Sequence, residues 1–198
     1  MCDDVTNNRY KSNTEDYLVK YDEYIDILPS PKDPRHASKI DRRSLEIALR
    51  SFIHQYDVIL IDTNHILSVT NMVAFELSDV ILNIFTNDAL DLKSTKTFIS
   101  ICKNMNVESL HLVLNAAIND KKDYFSEYEI ESILKANVDF IIPRNFYINH
   151  IDKQIVEGKI MPIYEKMLHS KSEDVANFSY SVLKLLDDVI GGKENEKK

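Results

Sequence analysis

With 198 residues, 44% of them hydrophobic and 28% charged, the chain can form one globular domain whose core needs neither metal nor disulfide. A formal net charge of −8 speaks against general nucleic-acid affinity, which requires Lys and Arg to neutralise phosphates. No apolar run reaches the roughly 20 residues of a membrane span, and the opening residues Met1 to Asp4 carry no basic or apolar leader.

The two cysteines, Cys2 and Cys102, lie far apart and read as free thiols of a reducing compartment, so a cytoplasmic location is expected. Residues 1–20 are polar and mixed in charge, a flexible tail or weak helix. Tyr24 to Leu28 is strand-like and is stopped by Pro29, Pro31 and Pro34. From about His36 to Gln55, Ile40, Leu45, Ala48, Leu49 and Phe52 recur at helical spacing. Val58-Ile-Leu-Ile-Asp62 follows, an apolar run ending in a carboxylate, which reads as a buried parallel strand delivering an acid to a sheet rim.

Ser68 to Leu77 reads as a helix and Asp79 to Phe85 as a third strand. Asp91 is the expected N-cap of a helix running to about Met105. Leu110 to Asn115 is the fourth strand. Ser126 with Glu129 three residues later has the pattern of a capping box. Val138 to Ile142 is the fifth strand, closed by Pro143. One helix is expected around Phe146 to Val156 and another over Asp174 to Ile190, stopped by Gly191 and Gly192, with residues 191–198 a disordered tail. Strands alternating with helices predict an α/β fold: a mostly parallel sheet of about five strands, helices on both faces, in one domain over residues 21–190.

Ligands of open α/β sheets collect at the carboxyl ends of the strands. Those ends carry Pro29-Ser30, Asp62-Thr63-Asn64-His65, Thr86-Asn87-Asp88, Asn115, and Pro143-Arg144-Asn145. Asp62 is the sharpest candidate: such an acid holds Mg²⁺ or positions water, or else caps the following turn. The Asn115 amide can read a base edge or satisfy loose backbone groups. The six histidines show no metal-ligand spacing. All three glycines, Gly158, Gly191 and Gly192, follow these strands, so no glycine-rich phosphate cradle precedes Asp62.

The succession Ile27-Leu-Pro-Ser-Pro-Lys-Asp-Pro34, Tyr56-Asp-Val-Ile-Leu-Ile-Asp-Thr63, Ser78-Asp-Val-Ile-Leu-Asn-Ile-Phe-Thr-Asn-Asp88, Leu110-His-Leu-Val-Leu-Asn115 and Val138-Asp-Phe-Ile-Ile-Pro-Arg144 resembles the ParA/MinD superfamily of deviant Walker ATPases. Within it the pilus-assembly CpaE/TadZ-like group is the nearest in pattern. The resemblance covers roughly residues 24–190 and implies a P-loop NTPase-like fold lacking the phosphate-loop strand. It implies ATP and Mg²⁺ as cofactors, Asp62 as the Walker B or switch II acid and Mg²⁺ site, and Asn115, Pro143 and Arg144 as nucleotide contacts. It further implies a homodimer or an assembly-machinery partner, and leaves peripheral membrane association open.

The departure is the phosphate loop with its signature lysine, which nothing here matches. The expectation is a positioning or assembly ATPase module that is nucleotide-deficient in this chain. The alternative is a non-catalytic interaction or oligomerisation scaffold of the same fold. A further alternative, a PIN-type nuclease, is suggested by Ile61-Asp-Thr-Asn64, although about 35 structured residues precede it and later strands end in Asn or Pro.

Overall fold

The computed structural model describes residues 14–30, 40–107, 109–116, 125–142, 169, 171 and 173–191. Two compact units emerge, Met1–Ser78 and Asp79–Lys198.

Among its described residues the first unit holds two α-helices and a two-stranded ladder. A 3₁₀ turn over Thr14–Tyr17 leads into β1 (Val19–Lys20), which pairs antiparallel with β2 (Asp26–Ile27). The turn between them is held by Asp22, whose carboxylate accepts the backbone N–H groups of Tyr24 and Ile25. Helix α1 (Arg42–Phe52) starts where Asp41 accepts the Ser44 N–H at 2.8 Å. Its buried residues Ser44, Ala48 and Phe52 recur every fourth position and form one stripe. Helix α2 (Val69–Leu77) starts at Ser68, whose hydroxyl accepts the Asn71 N–H, and buries Asn71, Val73 and Ala74. The Arg42 guanidinium bridges Glu46 on its own helix and Glu76 on α2.

Two expectations are corrected in this unit. Tyr24 to Leu28 does not join a parallel sheet; only Asp26–Ile27 is strand, in a two-residue antiparallel ladder. Val58 to Asp62 is not the buried strand that its composition implies. No strand forms there, and Val58, Ile59 and Leu60 are 53%, 38% and 87% exposed. The physical reason is pairing. An apolar run becomes a strand only when neighbouring backbone completes its ladder, and no described strand pairs with Val58–Asp62.

The second unit carries the parallel sheet. Strands β3 (Ile81–Phe85), β4 (Leu110–Asn115) and β5 (Phe140–Ile142) lie in the order β3-β4-β5, all parallel. The register sets Phe85 beside Leu114 and Asn115 beside Ile142. Helix α3 (Ala89–Asn104) connects β3 to β4, and α4 (Glu127–Leu134) lies between β4 and β5, so the units are βαβ crossovers. Phe85, Leu92, Ile99, Leu112, Leu114, Ile130 and Leu134 form the core cluster. Burying each such side chain contributes about 1.5–3 kcal/mol. Helix α5 (Glu173–Leu186) packs against β5 and ends in a π-helical turn over Asp187–Gly191.

The capping box is present in full. The Ser126 hydroxyl accepts the Glu129 N–H, and the Glu129 carboxylate accepts the Ser126 N–H at 2.8 Å. The two Ser126 donors, backbone first and hydroxyl second, hold the Glu129 carboxyl below the usual glutamate range. Helix α4 ends at Lys135 in the left-handed region with φ 54°, a conformation usually left to Gly or Asn. Cys102 is a free, buried thiol, and burial pushes its pKa up.

A third correction concerns the start of α3. Asp88, not Asp91, is the N-cap, accepting the N–H groups of Leu90 and Asp91. The Asp91 carboxylate instead accepts the N–H and hydroxyl of Thr86, at 2.8 and 2.7 Å. The helix expected around Phe146 to Val156 lies outside the described residues. Among the described residues, no helix is long and apolar enough to cross a membrane.

Candidate functional site

Asp62 stands at the end of the segment Val58–Ile61, and its side chain is exposed to solvent. The loop that follows it is held by a residue that the sequence pattern did not single out. Asn71, 8% exposed on α2, directs its side-chain Nδ2 at the Asn64 carbonyl oxygen (3.0 Å), Asn64 Oδ1 (2.8 Å) and the Ile66 carbonyl oxygen (2.7 Å). Asn64 Oδ1 also accepts the Ile66 N–H. One amide thus fixes the turn leaving Asp62. The available signal was an Asn in the run Val69-Thr-Asn-Met-Val-Ala-Phe75, where a buried polar side chain must find partners.

On the other side of Asp62, Tyr56 anchors the segment. Its hydroxyl donates to Asp26 Oδ2 at 2.6 Å and its ring meets Phe52 edge-on at 6.0 Å. The acid is therefore held between two fixed points, Tyr56 and Asn64, while Val58 to Thr63 make no backbone hydrogen bond among the described residues.

In the second unit the carboxyl rim of the sheet collects Thr86, Asn87, Asp88 and Asn115. Thr86 and Asp88 are spent on Asp91 and on the α3 cap. The Asn87 side-chain oxygen is buried with no hydrogen-bond partner among the described residues. Asn115 is half-buried at the last position of β4, and the following Ala116 N–H donates to the Ile142 carbonyl at 3.0 Å. The Asn115 side-chain amide has no hydrogen-bond partner among the described residues. Pro143 and Arg144 directly follow Ile142 and lie outside the described residues. His111 sits near the opposite end of β4, its Nδ1 at 3.8 Å from Asp139 Oδ2, away from this rim.

A triphosphate carries several negative charges and needs many converging donors. The described residues around Asp62 do not meet that need. They offer one exposed carboxylate, suited to Mg²⁺ through water. Among the described residues no three His, Cys, Asp or Glu side chains gather as a metal site.

A three-stranded parallel sheet with βαβ crossovers defines an open α/β protein. Comparison narrows the fold. No protein-family model and no curated protein matches the chain. Solved structures do. A ParA family ATPase from Chlorobium tepidum superposes with TM-score 0.70 at 14% identity, covering 90% of this chain and 70% of that one. MinD from Pyrococcus horikoshii, a septum site-determining protein solved with Mg-ADP, gives TM-score 0.70 at 21% identity over 96% of this chain and 74% of its own. The MinC:MinD complex of Aquifex aeolicus gives 0.65 at 20% identity over 91% and 72%. The chain has the fold of the ParA and MinD ATPases.

Proposed function

We propose that the chain is a ParA/MinD-type module of the CpaE/TadZ-like kind, acting in the cytoplasm in positioning or assembly, and that it is nucleotide-deficient. The observation that carries this reading is the likeness of fold over 90–96% of the chain, combined with an acid, Asp62, that no phosphate grip accompanies. Asp62 is the Walker B or switch II-like acid and would hold Mg²⁺. Asn115, with Pro143 and Arg144, is the base-side surface. When bound, Mg-ATP would supply the phosphoryl chemistry; this chain's own residues contribute a water-facing carboxylate and an unpaired amide. Its partner is a second copy of the chain or a protein of an assembly machine.

A phosphate loop supplies about five charge-assisted hydrogen bonds at ~1.5 kcal/mol each. Losing about 7 kcal/mol lowers affinity ~10⁵-fold and removes a micromolar site from view. Calorimetry of the purified chain with ATP and Mg²⁺ tests this. The expected result is no binding heat. Turnover that requires Mg²⁺ and disappears in Asp62→Ala would show a working ATPase instead.

The second reading, an interaction scaffold of the same fold, is favoured by a separate observation: the exposed apolar stretch Val58–Leu60. Calorimetry without heat, together with self-association or partner capture, supports that reading.

A further inference from the structure

Helix α1 carries three arginines and one glutamate, and two of the arginines, Arg42 and Arg43, open it. The positive end of a helix dipole disfavours cations at that place. For Arg42 the offset is visible: its guanidinium reaches Glu46 and Glu76. Arg43 is exposed and makes no ion pair or hydrogen bond among the described residues, with only the field of the N-cap Asp41 to steady it. Folding alone gives Arg43 no reason to stand there.

Arg43 has a counterpart. Arg50 follows seven residues on, two helical turns and about 10.5 Å along the same flank. It too is exposed and unpaired among the described residues. Half-buried Ile47 lies between the two, and Ile53, 60% exposed, is the C-cap of the helix. Ser44, Ala48 and Phe52 occupy the buried side. The solvent side of α1 is thus a ridge of Arg, Ile and Arg in a chain whose net charge is −8.

We propose that this ridge is the docking face for an acidic helix of another protein, one with two carboxylates seven residues apart and an apolar residue between them. The inference stands without the nucleotide reading. Two helices lying side by side repeat their contacts every seven residues. Each guanidinium then meets a carboxylate, in the bidentate geometry that the planar fork of arginine provides, and Ile47 meets the apolar residue. A nucleic-acid duplex or an anionic membrane is also negative, but it is an extended surface and brings its charge against the acidic remainder of the chain. A single helix covers α1 alone. A second copy does not offer the match: among the described residues, no helix of this chain sets two acids seven residues apart.

The test uses the whole 198-residue chain and three capped, fluorescently labelled, alanine-based helical peptides. The first has two glutamates seven residues apart with a leucine between them. The second has glutamine in place of both glutamates. The third keeps both glutamates but sets them five residues apart, which turns them to different faces. Binding is followed by anisotropy, with hydrogen exchange over residues 42–55 as the site readout. The first peptide should bind at least about tenfold tighter than the second and about threefold tighter than the third, and slow exchange in that window. In Arg43→Gln and in Arg50→Gln the preference for glutamate over glutamine should fall at least about threefold, and Arg43→Gln should melt no lower than the parent chain. No saturable binding of the first peptide, equal binding of the third, an unchanged preference in either variant, or a lower melting temperature in Arg43→Gln overturns the proposal. So does tighter binding of a DNA duplex or of phosphatidylserine vesicles that Arg43→Gln abolishes, since the partner is then a phosphate surface.

Discussion

Two apolar runs of this chain meet opposite fates. Leu110 to Asn115 becomes β4, central in its sheet, where Leu112, Val113 and Leu114 are 3%, 0% and 5% exposed. Val58 to Asp62 has the same kind of composition and stays open to solvent, with Leu60 at 87% exposed. The two differ in their neighbours. β4 has β3 on one side and β5 on the other, and a helix on either side of it in the chain, α3 before and α4 after. Val58–Asp62 has no strand partner among the described residues. An apolar run therefore states a demand for two flanking strands and two covered faces; the rest of the chain decides whether the demand is met.

The largest effect that could break this contrast comes from placing a carboxylate at each centre. Val113→Asp should destabilise the parallel-sheet unit by about 4 kcal/mol or more, because the charge is buried without a partner. Leu60→Asp, the same kind of change, should stay within about 0.5 kcal/mol. Urea denaturation of the two variants measures both, and similar losses would erase the contrast. Next in size is Asn71→Leu, which strips three acceptors of their shared donor and should cost about 2 kcal/mol in the helical unit. It should also speed exchange of the Ile66 amide, which donates to the Asn64 Oδ1 that Asn71 holds in place. Asp88→Ala should cost about 1 kcal/mol through loss of the α3 cap. Melting curves would show that loss in the sheet-bearing unit.

The smallest effect is a pH dependence. The Ser126 donors lower the Glu129 carboxyl in the folded state. A lowered folded value means the unfolded chain binds the proton more readily, so this contribution is present above the ordinary glutamate range. It fades as pH falls through the lowered folded value. Carbon-detected NMR titration should place the Glu129 midpoint below the ordinary glutamate range, and Ser126→Ala, which removes the hydroxyl donor and keeps the backbone one, should raise it part of the way back.

Much of the second unit was legible. The strand Leu110–Asn115 has the bounds its apolar run implied, and Ser126 and Glu129 form the expected box, because both signals are local and need little from the rest of the chain. The α3 cap was misplaced by three residues: Asp88 and Asp91 are both reasonable caps, and only the Thr86 donors, brought close by the end of β3, decide between them. The first unit was harder to read. Tyr24–Leu28 and Val58–Asp62 both carry strand composition, but composition is silent on which edges exist to receive them. Asn71 was invisible as a support for the Asp62 loop, since its three acceptors are five to seven residues away around a turn. Of the candidate site, Asp62 and Asn115 were legible as the terminal polar residues of their apolar runs, while their support depends on contacts that no spacing encodes.

The most direct measurement is amide hydrogen exchange on the purified chain, residue by residue, comparing Val58–Asp62 with Leu110–Asn115. The β4 amides should exchange at least ~10³-fold more slowly than their unprotected rates, and those of Val58–Asp62 within about tenfold of theirs. Equal, strong protection of both segments would mean that Val58–Asp62 is already a paired strand, and the account of an open edge would be wrong.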